Sequence, residues 1–312
     1  MSKLEPATLR RYQERGLYDI PSAKKVFDDS FIVHVSYIDD GLPACQPMLA
    51  LLREEWEDAE EGEEHAPVTD GETNGVNGVN GVNGVNSTEA GHGRRKTAYV
   101  YLHGHPTTRL MELVKKASKA AEAEEEAKTN GQTNGHATNG HATNGHSTAE
   151  PVKVCITATK VDGLVLSSAP NGHSFNYRSA MLHGTCEPVK GNKEFKKQIM
   201  TEVTNKIVPN RTAEVNPMAS IVTSMVYIVR VRIDRLSVKA RTGVPGIQPR
   251  NVEVDGPNVE PPAWAGVVPL WEQLGEPVDA GLTPGASVSE NLKNFIAERN
   301  AKHAAHAKKV AK

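Results

Sequence analysis

Tyr99-Val-Tyr-Leu-His-Gly-His-Pro-Thr-Thr-Arg109 and the following Leu110-Met-Glu-Leu-Val114 read as a strand, a glycine turn and the start of a helix. The first residues are mostly aromatic or β-branched, as is typical of strands. Gly104 permits a tight turn, and Pro106 suits the first turn of a helix. The apolar residues after Arg109 recur at helical spacing, so we predict a helix from Pro106 to about Lys119.

The same turn predicts a site for a phosphate or another anion. Thr107, Thr108 and Arg109 would converge there with the free N–H groups of the first helical turn. The alternative is structural, since threonine and histidine often cap a helix and Arg109 could simply be solvated.

Composition narrows the possible classes of protein. The 312 residues carry a net charge of −2, so no broad basic field favours nucleic acid. The N-terminal residues lack the apolar core of a signal peptide, and no apolar run is long enough to span a membrane. Three unclustered cysteines predict neither a disulfide framework nor a metal site. We therefore expect a cytoplasmic protein that binds neither nucleic acid nor membranes.

Two low-complexity inserts interrupt the chain, at about residues 53–95 and 121–150. The first contains an acidic run and Asn-Gly-Val repeats, and the second contains Asn-Gly-His-Ala-Thr repeats. Such stretches have too little apolar surface to fold, so we predict that both are disordered. The prediction is one domain over residues 1–270, followed by a C-terminal extension over 271–312 that is partly helical and frays from Ala301.

Between the inserts the chain alternates extended segments with turns. We predict helices at 19–27, 192–208 and from Ser287, and strands at 31–38, 42–52, 97–102, 152–161, 174–188 and 225–240. Asp162-Gly163 is predicted to turn a hairpin into a further strand. A phase change in the apolar pattern near Asp234-Arg235 predicts a β-bulge. Six extended segments with few helices favour a small antiparallel barrel.

These segments together resemble the flavin-nucleotide-binding proteins related to the 5-nitroimidazole-resistance (Nim) flavoproteins, in the pyridoxamine 5′-phosphate oxidase-like superfamily. The resemblance rests on the order and spacing of seven stretches: 11–19, 33–35, 101–104 with Arg109, 161–166, 175–179, 239–243 and 264–270. Both inserts and the segment beyond Leu270 are additions to that pattern. The resemblance implies a six-stranded FMN-binding split β-barrel with flanking helices. It also implies a homodimer with FMN near the interface.

The resemblance also implies roles for individual residues. His103 would lie beside the flavin as the catalytic residue, or it would only hydrogen-bond the turn. The cofactor would be held by Gly104, Thr107, Thr108, Arg109, Asn176, Tyr177, Arg178, Ser179, Lys239, Arg241 and Trp264. Surface positions for Arg178, Lys239 and Arg241 and simple packing for Trp264 are the alternatives.

The leading functional hypothesis is an FMN-dependent oxidoreductase that reduces a small electron-accepting substrate such as a nitroaromatic. Any nicotinamide donor, NAD(P)H, would bind transiently, because the chain has no Gly-x-Gly-x-x-Gly fingerprint after a strand. Three alternatives remain open: a non-catalytic flavin- or haem-binding module, a pyridoxamine 5′-phosphate oxidase-like enzyme, and a scaffold whose inserts recruit partners.

Overall fold

The computed structural model describes residues 7–58, 87–88, 94–131, 150–246 and 260–312. The strands in these ranges are β1 (Gly16–Leu17), β2 (Val33–Asp39), β3 (Leu42–Met48), β4 (Ala50–Asp58), β5 (Ser87–Thr88), β6 (Arg94–Gly104), β7 (Val152–Leu166), β8 (Ser174–Pro188), β9 (Tyr227–Arg241) and β10 (Gly266–Pro269). The α-helices are α1 (Ile20–Asp29), α2 (Arg109–Gly131), α3 (Lys193–Ile207), α4 (Ser220–Met225) and α5 (Glu290–Val310).

The strands form one antiparallel sheet in the order β3-β2-β7-β8-β9-β6-β4. Strands β3 and β4, at the two ends of this order, are consecutive in the chain and are separated only by Leu49. One bent strand therefore joins both edges and closes the sheet into a barrel. This confirms the predicted antiparallel split barrel with flanking helices. The ten separate strands exceed the predicted six because Leu49 divides one strand and three short strands are added.

Side chains on β6 alternate between two apolar clusters. Val100 and Leu102 lie in the barrel core, whereas Tyr99 and Tyr101 lie in a second cluster outside the barrel, which includes Ile199 of α3. The period-two pattern of a strand thus lets one strand contribute to both clusters. Burial on both faces explains why this stretch is so apolar.

The predicted bulge in β9 is confirmed. His183 of β8 pairs with Arg235, and the next residue, Gly184, pairs with Ile233. Asp234 is therefore the extra residue, and the inward-facing set changes phase there. The bulge bends a long strand around the barrel.

The predicted hairpin turn at Asp162-Gly163 is wrong. Strand β7 continues through it, with a second bulge between Val161 and Gly163. The turn to β8 lies farther on, beyond Leu166, where Pro170-Asn-Gly172 forms a short 3-10 helix. Asp162 is 5% exposed because its carboxylate is bound by Arg178. A tertiary ion pair thus accounts for an Asp-Gly pair that locally resembles a turn.

Two helix starts are confirmed by their caps. Asp19 Oδ1 accepts a hydrogen bond of 2.8 Å from the Ser22 amide at the start of α1. Asn192 Oδ1 accepts one of 2.9 Å from the Phe195 amide at the start of α3. Both caps satisfy amides that the helix itself leaves unpaired.

The described structure extends into both predicted inserts. Strand β4 reaches Asp58 and β6 begins at Arg94, so part of the acidic run is in the sheet. Its carboxylates are paired: Lys96 contacts Glu54 at 3.1 Å, and Tyr101 Oη donates to Glu55 at 2.7 Å. Helix α2 likewise continues to Gly131. The rest of the inserts, at residues 59–86, 89–93 and 132–149, lies outside the described residues, and the prediction of disorder there stays a prediction.

The C-terminal extension ends in the long helix α5, and the expected fraying from Ala301 is wrong. His303 and Ala307 of this helix are buried against the barrel. Lys302 contacts Asp29 at 2.7 Å, and the Val310 carbonyl accepts the Gly243 amide at 2.7 Å. Tertiary contacts therefore hold a helix end that looks weak in isolation. No helix among the described residues has the length and apolarity needed to cross a bilayer.

Candidate functional site

The turn between β6 and α2 has the predicted strand–glycine–helix order, but α2 begins at Arg109 rather than Pro106. The Thr108 amide donates to the His105 carbonyl at 2.9 Å, which closes a turn before the helix. The Thr107 hydroxyl lies 2.8 Å from His105 Nδ1. The first amides of α2 follow this turn, and the first four amides of a helix have no partner within it. Thr107 and Thr108 therefore lie directly before the first turn of α2.

Arg109 is bound to the β2–β3 turn. Its Nε and Nη2 donate to Asp39 at 2.7 and 2.6 Å. The Asp39 hydrogen bond to Arg109 holds the pKa of that carboxyl below its ordinary value. The arginine side chain is 53% exposed, and exposed ion pairs contribute little to stability. An anion bound at the turn could therefore replace Asp39 as the partner of the Arg109 guanidinium at a small cost in free energy.

His103 lies one residue before the glycine, at the end of the outward-facing set that includes Tyr99 and Tyr101. Its Nδ1 atom is buried and has no hydrogen-bond partner among the described residues. Burial lowers the pKa of His103, because loss of solvent penalises the charged ring. The imidazole is therefore neutral at pH 7 and has an unused ring nitrogen. A buried polar atom without a partner is costly unless a ligand or water satisfies it.

Arg178 belongs to an ion network that holds α5 against the barrel. Its Nε and Nη2 donate to Asp162 at 2.8 and 2.9 Å, and its Nη1 donates to Asp29 at 2.6 Å. Lys302 and His306 of α5 approach the same two carboxylates. Burial alone would raise the pKa of Asp29, but hydrogen bonds from Lys302 and Arg178 lower it.

This network does not fit the predicted phosphate contact of Arg178. The three side chains are 6–15% exposed, and two carboxylates already occupy the guanidinium. Freeing Arg178 would leave buried charges uncompensated, which typically costs roughly 3–5 kcal/mol. The sequence alone did not identify these partners. Asp29 is 149 residues from Arg178 in the chain, and Asp162 belongs to an Asp-Gly pair that resembles a turn.

Asn176 and Arg241 are also engaged at the end of the barrel that α5 covers. Asn176 is fully buried and donates to the Gly243 and Val310 carbonyls at 3.2 and 3.0 Å. Arg241 donates to Asn176 Oδ1 and to the Gly243 carbonyl. Asn176 therefore joins β8, the end of β9 and the C-terminal helix.

The remaining predicted cofactor residues lie nearby or on the surface. Ser179 donates to the Lys239 carbonyl at 3.3 Å, and Lys239 Nζ donates to the Arg11 carbonyl at 2.8 Å. Tyr177 is paired with Arg241 across the sheet. Trp264 is 64% exposed and lies before β10.

The predicted site residues therefore form two groups and do not share one volume within a protomer. Gly104 pairs with Tyr227 at the start of β9, whereas Ser179 and Arg178 pair with Lys239 and Ala240 near its end. Twelve residues separate Tyr227 from Lys239, which is roughly 40 Å of strand. We call residues 103–109 the turn group. The expectation that Arg109 and Lys239 grip the same phosphate is wrong for a single chain.

Two cavities flank the barrel, and neither includes a predicted cofactor residue among its lining. One, of about 360 Å³, lies between α2 and the end of β8 and is lined by Val114, Ala117, Pro188 and Arg230, among others. The other, of about 630 Å³, lies between α1, α3 and α5 and is lined by Lys206, Phe295 and Arg299, among others. Within the described residues no group of three or more metal-binding side chains is arranged around one point.

Residues 130–240 match the family model described as pyridoxamine 5′-phosphate oxidase. This range includes helices α3 and α4. It also includes β7, β8 and nearly all of β9, which supply about half of the barrel strands. This segment is therefore similar to a pyridoxamine 5′-phosphate oxidase domain. No curated protein sequence matches the chain significantly.

Solved structures share the split-barrel fold of this oxidase-like domain. The flavocytochrome Anf3 from Azotobacter vinelandii is 19% identical, with a TM-score of 0.58, and the match covers 92% of this chain and 94% of that one. The FAD and haem binding protein from Mycobacterium smegmatis is 18% identical, with a TM-score of 0.56 and coverage of 90% and 97%. A candidate 5-nitroimidazole antibiotic resistance protein from Bacteroides thetaiotaomicron is 14% identical over 72% and 86%, but its TM-score of 0.38 supports no argument.

The Anf3 match also extends beyond Leu270. A match over 92% of 312 residues leaves about 25 residues outside it, fewer than the 42 residues beyond Leu270. At least part of residues 271–312 is therefore shared with that neighbour.

Proposed function

We propose that this chain binds a flavin nucleotide, FMN, at the turn group and uses it as the redox cofactor of an oxidoreductase. The observation that carries the proposal is the buried, unpartnered Nδ1 of His103 beside Gly104 and the start of α2. Two neighbours with the same fold bind a flavin or are flavocytochromes, which supports a flavin as the occupant. The oxidase-like family match points in the same direction.

The residues of the turn group fit the phosphate end of such a cofactor. The hydroxyls of Thr107 and Thr108 and the first amides of α2 supply hydrogen-bond donors, and Arg109 supplies the charge. A Cβ atom in place of a Gly104 hydrogen would lie 3.4 Å from Thr108 Oγ1 and from the Met111 side chain, so even a methyl group there would contact the turn.

His103 would orient the polar edge of the flavin through its unused ring nitrogen. Because burial keeps the ring neutral, it acts as a hydrogen-bond partner and not as a fixed positive charge. The flavin itself supplies the hydride and electron chemistry when bound. We propose a small electron-accepting molecule as substrate and transient NAD(P)H as donor.

A homodimer is part of the proposal. Val161, Leu164, Phe175 and Met181 are 36–54% exposed and lie on neighbouring strands β7 and β8. Exposed apolar side chains grouped in this way commonly mark an interface. A second copy would cover them and bring the turn group of one chain nearer to strands of its partner.

The first test compares two matched arginine variants of the full chain. Arg109 and Arg211 are both exposed, and each contacts an acidic side chain three residues later. Arg109→Gln should weaken FMN binding by about tenfold, because a charged hydrogen bond to the phosphate is lost. Arg211→Gln should leave it unchanged. The measurement is fluorescence titration of the apoprotein with FMN, and equal affinities in both variants would contradict the proposed site.

A haem-binding flavoprotein is the second candidate, because the Anf3 and Mycobacterium smegmatis neighbours are flavin–haem proteins by name or type. His183 offers a buried Nε2 without a partner in the described part of the chain, which suits an axial ligand. The absorption spectrum of the purified protein decides between the candidates: a flavin spectrum alone favours the first, and an added Soret band favours the second. Chromatography of the released ligand then distinguishes FMN from FAD.

A further inference from the structure

Strand β1 brings the segment before α1 to the end of β9. Gly16 pairs with Lys239 and Leu17 pairs with Val238, although more than 200 residues separate these partners in sequence. The short 3-10 helix Gln13–Arg15 precedes this pairing. The basic residues of the N-terminal segment are thereby placed beside those of β9.

Four cations surround this junction, and three of them surround one exposed tyrosine ring. The guanidinium of Arg15 lies 4.1 Å from the centroid of Tyr12, that of Arg11 lies 4.8 Å away, and Lys239 Nζ lies 5.8 Å away. Arg241 is close enough to Arg15 for their charges to interact. We call Arg11, Tyr12, Arg15, Lys239 and Arg241 the Tyr12 cluster.

The positive charge of the Tyr12 cluster is poorly compensated within the described residues. Lys239 donates to the Arg11 carbonyl, and Arg11 donates to the Tyr12 hydroxyl at 3.2 Å. Arg241 donates to Asn176 and to backbone carbonyls. In this part of the chain Arg15 has Glu14 as an acidic neighbour at 3.7 Å, and that side chain is 68% exposed.

Several other arginines of the protein differ in this respect. A carboxylate lies within 3.1 Å of each of Arg53, Arg109, Arg178 and Arg230. Like charges with so little acidic compensation repel one another. Burial, and next the charge of Arg15, lower the pKa of Arg241. An anion would relieve that repulsion.

The backbone of Tyr12 adds a second sign of a built site. Tyr12 adopts φ 56° and ψ 54°, a left-handed conformation that is unusual for a bulky side chain. Such strain often accompanies ligand sites, where surrounding structure holds it in place. Here it holds the ring between the cations.

We propose that the Tyr12 cluster binds the phosphate or diphosphate group of a nucleotide, at a site separate from the turn group. Clustered arginine and lysine side chains recognise phosphate oxygens through charge-assisted hydrogen bonds. This proposal rests on the proposed function in one respect, namely that the phosphate group belongs to a nucleotide, which we call the carrier. The carrier is either the nicotinamide donor or the diphosphate of a dinucleotide flavin.

Calorimetric titration of the full-length protein with inorganic pyrophosphate at low ionic strength tests the site directly. Arg15→Gln and Lys239→Gln should each weaken binding by about tenfold, because each removes one charged contact. Glu14→Gln should tighten it, since the nearby negative charge is lost. Lys116→Gln, at an exposed lysine of α2 outside the cluster, is the matched control and should leave binding unchanged.

Circular dichroism of each variant confirms folding, and Glu14→Gln keeps the test decisive if a cation variant fails to fold. Pyrophosphate affinity that is absent in the wild type, or equal in all variants, would overturn the proposal. Titrations of the wild type and the cation variants with NADPH, NADH, FAD and FMN then identify the carrier. A loss of affinity in the variants that is selective for the nicotinamides, or for FAD, assigns it. If the variants lose affinity for none of these nucleotides, the proposal that the anion belongs to a nucleotide is overturned. Because pyrophosphate binding needs no flavin, failure of the flavin proposal stays distinguishable.

Discussion

At the scale of single residues, Lys206 shows how burial changes chemistry without an obvious sequence signal. It lies near the end of α3, and its Nζ donates to the carbonyl of Ala50, where the bent barrel strand resumes after Leu49. Burial lowers the pKa of this amine to about 8, since the charged form loses solvation. A periodic helix pattern gives no indication that this lysine is enclosed.

The first prediction at this scale concerns stability at alkaline pH. The amine has a lower pKa in the folded state, about 8, than its ordinary value of 10.5, so the unfolded chain binds more protons between these values. The free energy of unfolding should therefore gain a rising contribution from about pH 8 to 10.5. Lys206→Met should remove that rise, whereas Lys25→Met, at an exposed position, should keep it. Urea unfolding across this pH range measures both, and identical slopes would refute the assignment.

At the scale of elements, α5 is attached to the barrel by polar contacts more than by an apolar face. Asn300 accepts the Leu274 amide and donates to the Leu274 carbonyl, each at 2.8 Å. The Arg299 side chain donates to the Asp29 carbonyl at 2.8 Å. The ion network of Arg178 joins β8, the β7 bulge, α1 and α5, so one arginine connects four elements.

We predict that Arg178→Met destabilises the protein by roughly 3–5 kcal/mol, because Asp29 and Asp162 would keep buried charges without this partner. Lys24→Met, which removes an exposed ion pair with Asp28, should change stability far less. Urea denaturation at neutral pH compares the two. A small effect of Arg178→Met would mean that the network is not important for stability.

At the scale of the whole molecule, the barrel has one side that is covered and one that is open. Helices α3 and α4 cover the outward side of β6, whereas exposed apolar side chains lie on β7 and β8. Because the turn group and the Tyr12 cluster lie at opposite ends of β9, assembly of two chains determines whether they ever approach each other.

We expect Met181→Glu to convert the proposed dimer to a monomer, since a charge would replace a 38% exposed apolar side chain of that face. Ala123→Glu, on the exposed surface of α2, should leave the oligomeric state unchanged. Light scattering coupled to size-exclusion chromatography gives the mass of each. A wild-type monomer, or a dimer that survives Met181→Glu, would refute this interface.

The local pattern of the sequence determined much of the architecture. Period-two alternation located the barrel strands, the phase change located the bulge at Asp234, and Asp19 and Asn192 indicated helix starts. These features depend on neighbours in the chain, which is why sequence alone reveals them. The glycine turn before α2 was predictable for the same reason.

Only the tertiary structure decided which charges meet. Arg178 is bound to Asp29, 149 residues away, and Lys239 meets Arg11 across 228 residues. Nothing local distinguishes a basic residue that is neutralised by a buried carboxylate from one that stands among other cations. Electrostatic partners depend on distances in the folded chain, so the predicted phosphate ligands divided between a structural network, the turn group and the Tyr12 cluster.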